Sequence, residues 1–142
     1  MTANQQNMRQ PYDGWSLDER DPEVIKSMMP LWEWFYRYYF RVQTDGWHHI
    51  PDEKILIVGS HNGGLPAPDM HMCMYDWFKR FGPKRLVYGL MHQNAWSAFP
   101  STTTLAVQCG AVRAHPKMGI AAFQRNASVI VYPGGGPDVF RP

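Results

Sequence analysis

Short apolar runs that end at glycine or a small residue recur along this chain: ILIVG at Ile55–Gly59, RLVYG at Arg85–Gly89, AVRA at Ala111–Ala114 and SVIVYPGGG at Ser128–Gly136. The first and last are apolar at every step, the pattern of strands buried on both faces rather than on one. Between them lie segments of helical length. DMHMCMYDWFKRFG (Asp69–Gly82) closes at Gly82-Pro83, a helix stop, and PKMGIAAFQRN (Pro116–Asn126) opens on proline, a residue suited to a first helical turn. QNAWSAFPSTTTLAVQCG reads as a short helix, a loop and a helix. Strands alternating with helices predict an α/β fold with a mainly parallel sheet and flanking helices. SVIVY is expected to be central and covered on both faces.

An apolar helix precedes the first strand. In DPEVIKSMMPLWEWFYRYYFRV (Asp21–Val42), Asp21 can cap, Pro22 suits the first position and Glu23 suits the positive end of the dipole. Polar residues fall at 26, 33, 37 and 41, a narrow stripe in which Glu33 and Arg37 can pair. Pro30 is expected to kink or split the helix. Most of this helix needs covering, by protein or by a bilayer surface. The chain holds six Trp, seven Tyr, seven Phe and nine Met, a surplus suited to lipid or an interface. Residues 1–20 read as a polar, flexible tail. They lack the apolar core of a signal peptide. No stretch reaches the roughly 20 apolar residues of a membrane span. A net charge of +2 gives no reason to expect nucleic acid as a partner. Two cysteines, Cys73 and Cys109, make neither a disulfide framework nor a zinc cluster, which makes a reducing compartment the default.

Chemistry concentrates where strands end. GSHNGGLPAPDMH (Gly59–His71) sets His61, Gly63, Gly64 and Asp69 just beyond the first strand. In open parallel sheets, sites gather at the carboxyl ends of strands, so this loop and the one at Gly134-Gly135-Gly136 are expected to share a rim. An imidazole takes a proton near neutral pH, and a carboxylate on its other nitrogen fixes the tautomer and stabilises the imidazolium. With no serine or cysteine in a nucleophile elbow, the nucleophile is expected to be a substrate hydroxyl. The bland alternative is a turn histidine and a helix-first-turn aspartate. His61, Asp69 and His71 make a poor metal set, because two of them are only two residues apart on a helix; no metal is expected. Cys73 lies mid-helix among methionines, the usual setting of an inert thiol. The three glycines after the last strand let backbone N–H groups approach an anion or a carbonyl oxygen. Arg141 is a candidate for phosphate, against the alternative of an ordinary surface arginine. KRFGPKR (Lys79–Arg85) is either a solvated corner or a contact for anionic headgroups.

Taken together, these residues resemble the glycerolipid and lysophospholipid acyltransferase superfamily, in its branch near the diacylglycerol acyltransferases and their plant and cyanobacterial relatives. The likeness runs from about residue 35 to the end and rests on the order of four features. The aromatic helix leads into GWHHIPDEKILIVGSHNGG; His61 and Asp69 match a His…Asp motif; CGAVRAHP (Cys109–Pro116) resembles a glycine-led second motif; VIVYPGGGPDVFRP resembles a third that reads Phe-Pro-Gly-Gly in this branch. The gap between His61 and Asp69 is longer than the family's usual one, and Gly134 stands where many members carry glutamate. The family's substrate-binding arginine aligns best with His115, with Arg113 two residues earlier.

The resemblance implies transfer of a fatty acyl group from acyl-CoA or acyl-carrier protein to a hydroxyl of a glycerolipid or lysophospholipid. His61 is then the general base and Asp69 orients it. Gly63, Gly64, Arg113, His115, Gly134, Gly135 and Arg141 are candidate substrate-binding residues. No cofactor is implied beyond the thioester co-substrate. The implied partners are a membrane surface, the thioester donor and the lipid acceptor, and the implied location is the cytoplasmic face of a membrane, peripheral or monotopic. Alternatives are a non-catalytic lipid-binding fragment and a His/Asp hydrolase. Residues 21–142 are expected to be the N-terminal part of an acyltransferase domain. Only PGGGPDVFRP follows SVIVY, too little for a covering helix or another strand, so an uncovered apolar face or unpaired edge is expected, with little activity from these residues alone.

Overall fold

A computed structural model of the chain describes residues 11–60, 68–92, 96 and 103–133. Helix α1 (Pro22–Trp34) runs into a π-helical turn at Phe35–Tyr39, and a 3-10 turn at Trp47–His49 leads to β1 (Leu56–Val58). There follow α2 (Pro68–Phe81), β2 (Val87–Met91), α3 (Thr103–Gln108), β3 (Ala111–Arg113), α4 (Pro116–Gln124) and β4 (Ser128–Val131). The described strands form one parallel sheet in the order β1-β4-β2-β3. The fold is α/β, with helices flanking a parallel sheet as the alternating pattern predicts.

Strand periodicity divides the core in two. Ile57, Val87 and Ile130 face α1 and α2, where Ile25, Met70, Met74, Trp77 and Phe78 complete one cluster. Tyr88, Val112 and Val129 point the other way, onto Met118 and Ala122 of α4. At Gly89 a Cβ would sit 3.0 Å from Met74 Sδ and 3.3 Å from Met70 Cε, so this glycine lets α2 lie close on the sheet. β4 is central: Ser128, Val129 and Ile130 are buried, and Ser128 Oγ accepts from Ile55 N at 3.0 Å. β1 departs from expectation. It is an edge strand, and α4 packs on β4 and β2 instead of on it. Leu56 and Val58 therefore stay 52% and 61% exposed on the α4 side, and only Ile57 turns inward. A run apolar at every step does not reveal whether its strand will have a neighbour on both sides.

α1 starts as its sequence dictates. Asp21 Oδ1 accepts from Glu23 N at 2.9 Å, Pro22 takes the first position, and Arg37 pairs with Glu33 at 3.0 Å. Pro30 does not split the helix, which continues to Trp34. The break in register comes later: Phe40 N bonds Phe35 O, five residues back, at 2.8 Å. Val42 N then closes on Tyr36 O at 2.9 Å, with Arg41 left-handed at φ 50°. This is a Schellman-type ending in which arginine occupies the position glycine prefers.

A polar clamp fastens α1 to α2. The Asp76 carboxylate is 1% exposed. It accepts from Tyr36 Oη at 2.8 Å, Thr44 Oγ1 at 2.7 Å and Arg80 Nε at 2.7 Å, so a buried charge meets three donors. Trp47 Nε1 adds a bond to Thr44 Oγ1 at 2.9 Å. Residues 11–20, part of the stretch read from sequence as a tail, lie against the sheet. Leu17 is buried, Tyr88 Oη donates to its carbonyl at 2.9 Å, and Arg113 N donates to Gly14 O at 3.0 Å.

Candidate functional site

Because the strands are parallel, their carboxyl ends form one rim. β1 and β4 are neighbours in register, Val58 opposite Val131, and Gly59 N extends the ladder to Val131 O at 2.9 Å. Two glycine-bearing segments of the sequence thus leave the sheet side by side. α2 returns over this edge: Met70 and Met74 reach Gly89 of β2, and Cys73 packs against the same cluster as Tyr132, just past β4. The N-terminal turn of α2 consequently overlies the middle of the rim.

Asp69 lies in that first turn, and its Oδ1 accepts from Met70 N at 2.9 Å. Its position suits the sequence-based role of orienting a base and equally the bland role of a first-turn carboxylate near a helix N-terminus. His61, Gly63, Gly64, Gly134, Gly135 and Arg141 lie outside the described residues. His71 is exposed. It lies two positions from Asp69, so the helix turns the two side chains to different sides.

Asp69 and Cys73 share one face of α2, four residues apart. Cys73 and Tyr132 both pack against the cluster that α1 and α2 form with the sheet. Burial pushes the Cys73 thiol up, and the carboxylate of Asp76 adds to this. Burial also raises the Tyr132 phenol, helped by Cys73 and by Asp69. Both groups are therefore neutral near pH 7, which removes Cys73 as a ready nucleophile. The tyrosine ring is admitted by Gly59, where a Cβ would fall 2.3 Å from Tyr132 Cε1. Sequence reading passed over Tyr132; its one visible mark is a tyrosine where the resembled motif carries phenylalanine.

At the other end of the rim, β3 terminates in Arg113. Three strand steps separate β1 from β3, about 14 Å at the usual spacing. The Arg113 guanidinium stands 4.8 Å from the Trp96 ring and 5.8 Å from the Trp15 ring, and its Nε donates to Asp13 O at 2.8 Å. It is stacked and held from one side, and its two terminal nitrogens bond no acceptor among the described residues. Gly14 is needed here twice over, because its φ is +86° and a Cβ would lie 2.5 Å from Trp96. His115 serves the fold. Its Nδ1 accepts from Lys117 N at 3.1 Å and caps α4, while its ring meets Trp15 edge-on at 5.5 Å. Of the two sequence candidates Arg113 and His115, only His115 is taken up in a helix cap.

The basic run at 79–85 is largely engaged within the fold. Arg80 bonds Asp76, and Arg85 sits 4.8 Å and 4.3 Å from the Trp77 and Phe81 rings while donating to the Pro51 and Glu53 carbonyls. A second surface is open instead. Trp34, Tyr38, Tyr39 and Phe40 are exposed, with Leu31 beside them. Trp32 and Phe35 turn inward, Trp32 stacking on Phe78 at 6.2 Å. α1 runs antiparallel to α2, Trp32 meeting Phe78 and Tyr36 meeting Tyr75 at 5.0 Å. Its exposed aromatic end therefore points toward the N-terminus of α2, the rim side of the sheet. Among the described residues, no helix is long and apolar enough to cross a membrane.

A scan against protein-family models finds no match, and searches of curated proteins and of solved structures find none either.

Proposed function

We propose that this chain is an O-acyltransferase working at a lipid surface, moving a fatty acyl group from an acyl-CoA or acyl-carrier-protein thioester to a hydroxyl of a glycerolipid or lysophospholipid. The observation that carries the reading is the pairing of β1 with β4. It sets the end of β1, which precedes His61 in the sequence, beside the end of β4, which precedes Gly134-Gly135-Gly136. In this reading His61 takes the acceptor's hydroxyl proton, and Asp69 steadies the imidazolium. The alkoxide oxygen attacks the thioester carbonyl, and backbone N–H groups of a glycine loop meet the oxyanion. The C–S bond then breaks, and the thiolate leaves with the proton from His61. An ester and a free thiol result, so atoms and charge balance without a redox step.

Arg113 supports the reading because a rim about 14 Å long between β1 and β3 suits an acceptor whose hydroxyl and anionic headgroup lie apart. The exposed aromatic end of α1 supports a peripheral attachment, on the cytoplasmic face, that turns the rim toward the headgroups. The test is incubation of the protein with a labelled acyl thioester and acceptor-containing vesicles. Labelled lipid is the expected product. Labelled free fatty acid makes the chain a hydrolase, and no conversion with retained vesicle binding makes it a lipid-binding protein. Attachment is checked by co-sedimentation with anionic vesicles, which Trp34→Ser with Tyr39→Ser is expected to weaken; a wild-type protein that stays in the supernatant contradicts the attachment.

A further inference from the structure

We infer that Trp15 is a positioning residue for Arg113, and that residues 13–15 are a strap that holds this guanidinium at the β3 end of the rim. The inference rests on the acyl-transfer reading above, in which Arg113 meets the anionic group of the acceptor. The strap comes from the stretch that reads in the sequence as a tail, and it is fastened along its length. Arg113 N donates to Gly14 O at 3.0 Å, a main-chain bond on the side of β3 away from β2. Leu17 is buried with Tyr88, Val112 and Met118, and Tyr88 Oη donates to its carbonyl at 2.9 Å. Asp18 pairs with Arg125, and Asp21 N donates to Gln108 O at 2.8 Å. The Trp15 ring therefore has a fixed place.

Three contacts aim the guanidinium. Asp13 O accepts from Arg113 Nε at 2.8 Å, and the Trp96 and Trp15 rings stand 4.8 Å and 5.8 Å away. Trp96 is itself held at the end of β2, its Nε1 donating to Met91 O at 3.1 Å. Trp15 meets the His115 ring edge-on at 5.5 Å, so it is wedged between the cap of α4 and the guanidinium. At 41% exposure it is not a core residue. Holding a long side chain in place before a ligand arrives removes the entropy cost of ordering it on binding. Among the described residues, this is the use that the exposed indole serves.

The test compares wild type with Trp15→Leu, Trp15→Phe, Arg113→Ala and the double variant Arg113→Ala/Trp15→Leu. Binding of octyl phosphate is measured by isothermal titration calorimetry below its micellar concentration, with octanol as the uncharged control. Arg113→Ala is expected to weaken octyl phosphate about tenfold and Trp15→Leu about fivefold. Trp15→Phe keeps a ring face and should stay within about twofold of wild type. The double variant should lose no more than Arg113→Ala alone, because Trp15 acts through Arg113. In the transfer assay, Trp15→Leu should raise KM about fivefold for an acceptor bearing a phosphate monoester, with kcat unchanged. KM for uncharged monoacylglycerol should not move, whereas a general loss of stability affects both acceptors. An affinity for octyl phosphate that Arg113→Ala lowers and Trp15→Leu leaves alone overturns the positioning role, as does a further loss in the double variant. A wild type that binds octyl phosphate no better than octanol overturns the inference altogether. Binding in the expected pattern without any acyl transfer overturns the parent reading and leaves the strap as part of an anion site.

Discussion

Three side-chain donors converge on the Asp76 carboxylate. A carboxylate with 1% exposure needs its donors, and each of them comes from a different stretch of chain or turn: Tyr36, Thr44 and Arg80. Replacing one partner of such a network strands the others. Asp76→Ala is therefore expected to lower the free energy of unfolding by about 3 kcal/mol, read from a urea titration, while Arg80→Ala, which removes a half-exposed partner, costs less. Equal costs would contradict the ranking. Alkaline stability is set at the same scale. Burial pushes the Cys109 thiol up to about 12 and raises the Tyr88 and Tyr132 phenols. Groups that hold their protons more tightly when folded give stability that is complete below the unfolded-state pKa and lost as pH rises toward the folded one. The urea midpoint is thus expected to hold to about pH 9 and to fall steadily above it. A midpoint flat to pH 11 would contradict these burials. The individual roles were the least legible part of the sequence. Asp69 and Arg113 were visible as chemical types next to strand ends. That Arg113 lies between two indoles depends on which distant segments meet, which no local pattern encodes.

Elements were read more reliably than residues, because caps and periodicity act over short range. Asp21 and Pro22 begin α1, Pro68–Phe81 is helical, and Pro116 opens α4 as the spacing predicts. Pro30 was expected to kink or split α1 and leaves it unsplit; the change of register falls at Phe35–Tyr39, where Tyr36 is drawn inward to Asp76. Tertiary pull on one tyrosine decides where the helix widens. The turn then ends on Arg41 in the left-handed region, a conformation that costs an L-residue about 1–2 kcal/mol relative to glycine. Strain of this kind persists where a side chain has another use, and an exposed cation that closely follows exposed Tyr38 and Tyr39 in the chain suits an anionic headgroup. Arg41→Gly is accordingly expected to stabilise the fold by about 1 kcal/mol while weakening binding to anionic vesicles by a similar amount, roughly fivefold. Co-sedimentation and urea denaturation check the two halves. A variant that gains stability and binds vesicles as well as wild type removes Arg41 from the lipid contact.

Across the whole molecule, strand order matters most. A parallel α/β sheet was legible from alternation alone, and the last strand was correctly read as central. The order β1-β4-β2-β3 was not, because edge and centre differ only in what lies beside a strand. Its consequence is an exposed apolar edge at Leu56 and Val58. Such an edge favours association between copies. The wild-type chain is expected to elute in size-exclusion chromatography with a concentration-dependent apparent mass, and Val58→Lys to suppress this with little loss of stability; a wild type that is monodisperse at all concentrations would contradict it. The same strand order brings the His61 and Gly134 segments to adjoining strand ends, and the central claim is that this rim transfers acyl groups with His61 as its base. The most direct measurement is the initial rate of label transfer from acyl thioester to lipid acceptor for wild type and His61→Ala, with circular dichroism and urea midpoint recorded for both. The account predicts a rate at least a hundredfold lower for His61→Ala, the usual scale for losing a general base, with the fold unchanged; a rate within a few-fold of wild type would contradict it.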